Sequence, residues 1–382
     1  MDVFHREALA ADLANKVLFV APTSASGSGL FLAAPRRTGK STFLREDLRP
    51  QLEKQGALVV YVDLWEDRRA DPGDVIVHAV RAELSRHDGV VKRLARSAGM
   101  EKVTVGGVAF SLDRVGLGEG VSLSAALAAL SDETNQVIVL IVDEAQHAIT
   151  SERGNDALFA LKAARDELNS SRHRGLRVVA TGSNRDKLAM LRNSRDQAFY
   201  GAPLVNFPPL GPDYVAWFCE RVGLAAPLDP MVVQELFTHA AFRPELLGAA
   251  ADALRFEFGL APQDVPGRFA AAVQEQIDAS NDELLRVVHS LTPLQAAVLK
   301  VLARRGADYA PFEGATLQAY QAVLQAANPA GEARADVPAV QQALLALQEK
   351  ALVWRAARGV YAIEEAVLAE LMEQRGLLAD VP

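Results

Sequence analysis

Cysteine is almost missing from this 382-residue chain, with Cys219 the single one. One thiol supports neither a disulfide framework within the chain nor a cysteine-rich zinc site. It closes the apolar run Tyr214-Val-Ala-Trp-Phe-Cys219, which reads as a packed core thiol rather than a reactive one. Long apolar runs are missing as well: no segment approaches the roughly 18 apolar residues of a membrane helix. The first residues, with Asp2, His5, Arg6 and Glu7, lack the basic-then-apolar pattern of a signal peptide. The expectation is a cytoplasmic protein that does not engage a membrane. Excess positive charge is the third absence. The 40 Lys+Arg face 48 Asp+Glu for a net charge of -8, so any contact with nucleic acid must be local. There is no internal repeat and no low-complexity run. What remains is an ordinary composition, 50% hydrophobic and 23% charged, long enough for two or three domains with substantial cores.

Up to residue 207, short apolar runs alternate with amphipathic stretches, the pattern of an α/β sheet with crossover helices. Strands are expected at 30–34, 57–63, 136–143, 176–182 and 203–207. Most are unbroken aliphatic or β-branched runs, as in strands covered on both faces. Helices are expected at 40–48, 72–84, 123–131 and 155–170. The segment 102–112 alternates apolar and polar residues around Gly106-Gly107 and reads as an inserted β-hairpin, either a lid-like decoration or a partner-binding tongue. After Pro208-Pro209 the strand pattern stops. Helices punctuated by Pro227, Pro230, Pro244, Pro262 and Pro266 run to about residue 290. Helix patterns at 293–304, 316–327 and 337–350 then lead to two strands around a turn at 351–363, a winged-helix arrangement. The expected domains are a core at 1–210, a helical lid at 211–290 and a winged helix at 291–382.

The chemistry concentrates in Ala34-Pro35-Arg36-Arg37-Thr38-Gly39-Lys40-Ser41-Thr42, which follows the first strand and opens a helix. Backbone N–H groups of such a loop, with the helix N-terminus, favour the phosphates of a nucleoside triphosphate. Lys40 would reach those phosphates as a point charge, and the Ser41 hydroxyl would join the Mg²⁺ shell. The first glycine of the usual pattern is replaced by Ala34. The run 137–142 delivers Asp143 and Glu144 to the carboxyl end of a buried strand, where open α/β sheets bind ligands. Asp143 would hold Mg²⁺ through water, and Glu144 would orient and polarise an attacking water. Gln146 is a polar link toward the γ-phosphate site, with His147 a bystander. The fourth strand ends in Thr181-Gly182-Ser183-Asn184. There Ser183 and Asn184 can touch the γ-phosphate or attacking water, or simply close a turn. Arg192 and Arg195 precede the fifth strand. Arg195 is the arginine chosen to stabilise transition-state charge, in a neighbouring subunit's site. Arg243 could contact the same phosphates from the helical segment. These residues together read as an Mg²⁺-dependent ATP hydrolase.

The same residues resemble the archaeal-type ATPases, a branch of the AAA+/STAND P-loop NTPases. The resemblance begins at Phe4-His5-Arg6-Glu7, similar to the family's Phe-x-x-Arg-Glu opening. It continues through 35–41, close to Gly-Pro-Arg-Arg-x-Gly-Lys-Thr/Ser, and through Asp143-Glu144-Ala145-Gln146, Thr181-Gly182-Ser183, Phe199-Tyr200-Gly201 and Phe207-Pro208-Pro209-Leu210. Arg243-Pro244 resembles the lid motif, with Phe242 where the family usually has glycine. The resemblance implies ATP binding and hydrolysis coupled to conformational change, strand order 5-1-4-3-2, a helical lid and a C-terminal winged helix. ATP rather than GTP also accords with the lack of an Asn-Lys-x-Asp guanine-reading motif.

Winged helices contact DNA or proteins. From residue 291 onward eight basic residues face ten acidic ones, a poor balance for phosphate attraction. The helix at 337–350 offers Gln341, Gln342 and Gln348 but one cation, while Arg355 and Arg358 sit on the wing. A protein contact is slightly favoured over direct DNA reading. The resulting function is a nucleotide-driven conformational switch. Two alternatives stay open: a DNA-associated AAA+ loader or transposition/defence-type ATPase that forms nucleotide-dependent homo-oligomers, and a nucleotide-binding regulator with vestigial hydrolysis.

Overall fold

A computed structural model describes residues 3–20, 24–67, 69–97, 115–116, 120–170, 172–329, 334–357 and 359–382. The hairpin expected at 102–112 and the wing residue Arg358 lie outside the described residues. The chain divides into two compact units, Met1–Trp217 and Phe218–Pro382.

The first unit is built on a five-stranded parallel sheet. Its strands are β1 (Leu30–Ala33), β2 (Leu58–Asp63), β5 (Ile138–Asp143), β6 (Leu176–Gly182) and β7 (Leu204–Asn206), in the order β2-β5-β6-β1-β7. Two short segments, β3 (Val115–Gly116) and β4 (Val121–Ser122), pair with each other outside it. Every residue of β5 is buried, because helices cover both faces of a parallel sheet. Alternation along the strand then sorts side chains between two cores. Ile138, Leu140 and Val142 join a cluster with Ile76, Val80, Leu127, Leu161 and Phe199, whereas Val139 and Ile141 face Leu13, Val17, Leu48 and Leu52.

The helix expected at 40–48 is not uniform. It runs α-helical over Lys40–Phe43, loosens into a π-helical turn over Leu44–Leu48, and resumes over Arg49–Lys54. The π turn places Leu44 and Leu48 in the core and buries Asp47. The Asp47 carboxylate accepts from the Arg6 backbone N–H (3.1 Å) and bonds the His5 ring (2.6 Å). Arg6 then donates to the carbonyls of Pro208 (2.9 Å) and Pro209 (3.1 Å), so the Phe4-His5-Arg6 segment ties two distant parts of the unit together. Elsewhere the helices start at their caps. Asp71 caps Pro72–Leu84, Ser122 caps Leu123–Thr134, and the helix expected from 155 begins at Glu152, where Ser151 Oγ accepts from Gly154 N–H (2.9 Å).

Among its described residues the second unit has helices and one hairpin. Pro230–His239, Pro244–Arg255 and Val265–His289 are followed by Pro293–Arg305, Gly314–Ala327 and Val337–Glu349. Strands β8 (Val353–Ala357) and β9 (Val360–Ile363) then pair antiparallel, and a further helix, Ala366–Gln374, follows. Thr292 and Gln295 form a capping box with Pro293 at the first helical position, a strong local start signal. A core from Val288 to Val381 joins these last elements around Tyr320, whose hydroxyl donates to Tyr309 Oη at 2.6 Å. Cys219 is free and half-buried, and burial pushes its thiol up, as expected of a packed rather than a reactive group.

Ala241 and Phe242 both hold left-handed backbone, at φ 53° and 57°. The position where the resemblance expects glycine is thus one where glycine avoids a steric cost. Phe242 is kept there by its edge contact with Phe237, ring centroids 5.6 Å apart. Ala241 is exposed and has no such compensation. Ala241→Gly should therefore stabilise the second unit by about 0.5–1 kcal/mol, read as a higher denaturant midpoint for that unit.

Candidate functional site

Because all five strands of the sheet are parallel, their carboxyl ends share one edge. Register pairs Asp63 with Asp143 and Ala33 with Gly182. Four segments therefore meet there: loop 34–39 after β1, residues 63–65 at the end of β2, Asp143-Glu144 at the end of β5, and 181–183 at the end of β6.

The loop closes through Thr38 Oγ1 donating to the Pro35 carbonyl (2.8 Å). Arg37 and Gly39 turn left-handed, at φ 62° and 83°, and the helix Lys40–Phe43 starts directly afterwards. Ala34, standing where the usual pattern has glycine, is buried and is not among the residues with positive φ. Its N–H donates to the Gly182 carbonyl (3.1 Å). The departure from the pattern therefore carries no backbone penalty.

Lys40 is 5% exposed and lies among three acceptors. It donates to Asp143 Oδ1, to Glu144 Oε1 (3.1 Å) and to Thr181 Oγ1 (3.1 Å). Asp143 also accepts from Thr181 Oγ1, from Tyr61 Oη (3.0 Å) and from the Glu144 N–H (3.0 Å), and it is hydrogen-bonded by the Ser41 side chain. Burial pushes the Asp143 carboxyl up, but Lys40 and the bonds from Ser41 and Thr181 outweigh it, so the group sits below its ordinary value of 3.8. It is a carboxylate at neutral pH.

Glu144 adopts φ 54°, a left-handed conformation that costs a non-glycine residue roughly 1–2 kcal/mol. The surroundings hold it there. Its Oε2 accepts from Gln146 Nε2 (2.6 Å), from Ser183 Oγ (2.8 Å) and from the Ser183 N–H (3.3 Å). Burial again works against ionisation, and Lys40, Gln146 and Ser183 reverse it, leaving the carboxyl below its usual range. Gln146 can approach because residue 182 is glycine: a Cβ there would overlap Gln146 Oε1.

The edge thus gathers Arg36, Lys40, Ser41, Asp143, Glu144 and Ser183. The Ser183-Asn184 pair divides. Ser183 bonds the carboxylate, while the Asn184 side chain caps the helix Arg185–Ala189, accepting from Lys187 N–H at 3.0 Å. Thr42 and Arg195 are exposed, Thr42 on the helix after the loop and Arg195 ahead of β7. Arg243 belongs to the second unit, where Glu245 Oε1 (2.8 Å) and Ser280 Oγ (3.0 Å) accept from its guanidinium.

Three residues that sequence reasoning passed over stand in the site. Thr181 and Tyr61 bond Asp143, and Arg45 lies over the Tyr61 ring at 4.9 Å while donating to Asp63 (2.7 Å). A fourth, Trp65, packs at a tilt of 43° against His147 (centroids 4.4 Å) and lies under the Arg36 guanidinium (5.1 Å). The available signal was polar residues at the last positions of apolar strands, Tyr61 and Thr181 among them.

The donor set fits Mg²⁺ accompanied by phosphate. A serine hydroxyl and an ionised carboxylate stand within hydrogen-bond reach of each other, and Mg²⁺ takes one or two protein oxygens and completes its shell with water and phosphate. Among the described residues no group of three or more His, Cys, Asp or Glu could cage a metal without such a partner. No described helix is long and apolar enough to cross a membrane.

No family model and no curated protein matches the chain. Solved structures share its fold. The Walker-type ATPase of Pyrococcus abyssi is similar over 97% of this chain and 96% of its own, at 16% identity and a TM-score of 0.54. The ADP form of the Aeropyrum pernix ORC2 protein is similar over 99% of this chain and 96% of its own, at 16% identity and a TM-score of 0.55. At such identity the likeness is one of fold: an α/β unit with a parallel five-stranded sheet.

Proposed function

We propose that the chain is an Mg²⁺-dependent ATPase of the AAA+ P-loop kind that works as a nucleotide-driven switch. The observation that carries this reading is Lys40, directly after loop 34–39, bonded to Asp143, Glu144 and Thr181 at the carboxyl edge of the sheet. The fold likeness to a Walker-type ATPase and to an ADP-bound ORC2 protein agrees with it. In this reading loop 34–39 and the helix N-terminus receive the β- and γ-phosphates, and Ser41, with Asp143 through water, would hold Mg²⁺, which would neutralise phosphate charge. Lys40 moves from the carboxylates to a phosphate oxygen. Losing that cation raises the proton affinity of Glu144, which then orients the attacking water. The water oxygen bonds the γ-phosphorus as the bond to the bridging oxygen breaks, ADP leaves with the electron pair, and the water proton passes to Glu144. Ser183 and Gln146 hold Glu144 and would register the change. Arg195, Asn184 and Arg243 stay candidates on sequence grounds alone.

The domain reading is a core at 1–210, a helical lid at 211–290 and a winged helix at 291–382. The helix Val337–Glu349 contains no cation and exposes Gln341, Gln342 and Leu345, a surface better suited to protein than to phosphate. A protein partner is therefore favoured over DNA. Calorimetric titration with ATP in Mg²⁺ and in EDTA tests the core claim, and no binding in Mg²⁺ would sink it. Salt-sensitive binding of a DNA duplex would replace the protein-contact reading with the loader.

A further inference from the structure

We propose that Arg36, the third residue of loop 34–39, is a transition-state arginine supplied in cis, aimed by the Trp65 ring; this rests on the ATPase reading above. Along the sheet edge the groups run in a chain. Lys40 Nζ bonds Glu144 Oε1 at 3.1 Å, Glu144 Oε2 accepts from Ser183 Oγ at 2.8 Å, and Ser183 Oγ accepts from Arg36 Nε at 3.4 Å. Two cations therefore flank one carboxylate, Lys40 on the buried side and Arg36 on the open side. A terminal phosphate held by Lys40, with its attacking water on Glu144, has its equatorial oxygens between them. Charge spreads onto those oxygens in phosphoryl transfer, and a guanidinium can pair with two at once.

The aim of Arg36 comes from a platform. Its guanidinium lies 5.1 Å from the centroid of Trp65, which is itself packed on His147 at 4.4 Å. Trp65 follows β2 and its backbone N–H donates to Asp63 Oδ1 at 2.9 Å, so the ring is anchored beside the strand that carries Tyr61 to Asp143. A cation over an indole face keeps its N–H edge available in the ring plane. Trp65 is thus a positioning residue, and Arg36 the group that touches the reacting phosphate. A consequence is that turnover requires no arginine from a second copy of the chain, which removes Arg195 from that role, and specific activity does not rise with protein concentration.

The test compares wild type, Arg36→Ala, Arg36→Lys, Trp65→Phe and Trp65→Ala in two measurements. The first is calorimetric affinity for a slowly hydrolysed ATP analogue and for ADP with aluminium fluoride, the latter mimicking the transferring phosphoryl group. The second is single-turnover hydrolysis. Wild type should bind both ligands. Arg36→Ala should keep the ATP analogue within a few-fold while losing about 100-fold or more in both ADP–aluminium fluoride affinity and turnover. Arg36→Lys should recover only part, Trp65→Phe should stay near wild type, and Trp65→Ala should fall between. Equal losses for both ligands would make Arg36 a ground-state phosphate contact and overturn the proposal. So would an unchanged Arg36→Ala protein. A wild type that hydrolyses ATP but does not bind ADP–aluminium fluoride overturns this proposal alone, and a wild type that binds no nucleotide, or binds ATP without hydrolysing it, removes the underlying reading with it.

Discussion

Glu144→Gln should bind ATP as tightly as the wild type and hydrolyse it at least about 100-fold more slowly, the scale of a lost general base. The substitution keeps the shape of the side chain. Its amide oxygen can still accept from Ser183 Oγ and Gln146 Nε2, which now reach Glu144 Oε2 at 2.8 and 2.6 Å. What disappears is the negative charge that orients and deprotonates water. The left-handed φ of 54° at residue 144 is a backbone property and persists, so the protein should still fold, short of the ion pair from Lys40 to Glu144 Oε1. Rapid-quench phosphate release beside equilibrium nucleotide binding measures the two effects separately. Undiminished hydrolysis would take Glu144 out of its role and leave the water to be activated by the phosphate itself.

The second large effect is on folding as well as on binding. Lys40→Ala should abolish ATP affinity and destabilise the first unit by about 3 kcal/mol, the lower end for breaking a buried ion pair. Asp143 is 1% exposed, and its remaining partners, Ser41, Thr181, Tyr61 and the Glu144 N–H, supply hydrogen bonds but no full charge. The pH dependence has a definite sign. In the wild type the folded carboxyl lies below its ordinary value of 3.8, so its contribution is fully present above that value and is lost as pH falls through the folded pKa. Without Lys40 the burial that pushes Asp143 up goes unopposed by any cation of that strength, and the folded pKa rises above the unfolded one. The variant is then penalised most at neutral pH and recovers as acid protonates Asp143. Denaturant unfolding at pH 7 and at mildly acidic pH should show the gap to wild type narrowing. Adding Asp143→Asn to Lys40→Ala should restore most of the stability at pH 7 without restoring nucleotide binding. A gap independent of pH would mean that Asp143 is not held as a carboxylate by Lys40.

Much of the first unit was legible because its signals are local. The strand at 176–182 and the helix at 72–84 coincide with expectation, the one an unbroken apolar run, the other marked by Asp71-Pro72 at its start. The π turn at Leu44–Leu48 was not legible. It depends on Asp47 being drawn in by His5 and Arg6, some forty residues away in the chain. The helix start at Glu152 was missed because Ser151 as a cap does not stand out within Ile-Thr-Ser-Glu. In the second unit three helices and a hairpin were foreseen, but the closing helix Ala366–Gln374 was not, since its apolar positions follow the hairpin without a strong stop.

At the candidate site the residue types came from motif spacing, and the partners did not. Lys40, Ser41, Asp143 and Glu144 are recognisable because phosphate and Mg²⁺ chemistry demands a cation, a hydroxyl and carboxylates at strand ends and helix starts. Which of Ser183 and Asn184 would face Glu144 was undecidable from the chain. Both are short polar residues after a strand, and the choice fell to whichever side chain was free once the helix Arg185–Ala189 required a cap. Ala34 and Phe242 illustrate the two outcomes of a departure from pattern. The first proves harmless because its backbone needs no glycine, and the second retains a left-handed φ and is supported by packing on Phe237.

By itself the sequence determined the α/β character of the first unit, the chemistry of its loop and the acidic strand end, because these follow from periodicity and from residue types a few positions apart. Only the tertiary structure decided that Tyr61, Trp65 and Thr181 belong with them, and that Arg36 of the loop lies against Trp65 and Ser183. The reason is physical: four parallel strands end at one edge and bring together residues as much as 147 positions apart in the chain. There hydrogen bonds and ring contacts depend on register, burial and side-chain direction, none of which is written in local spacing.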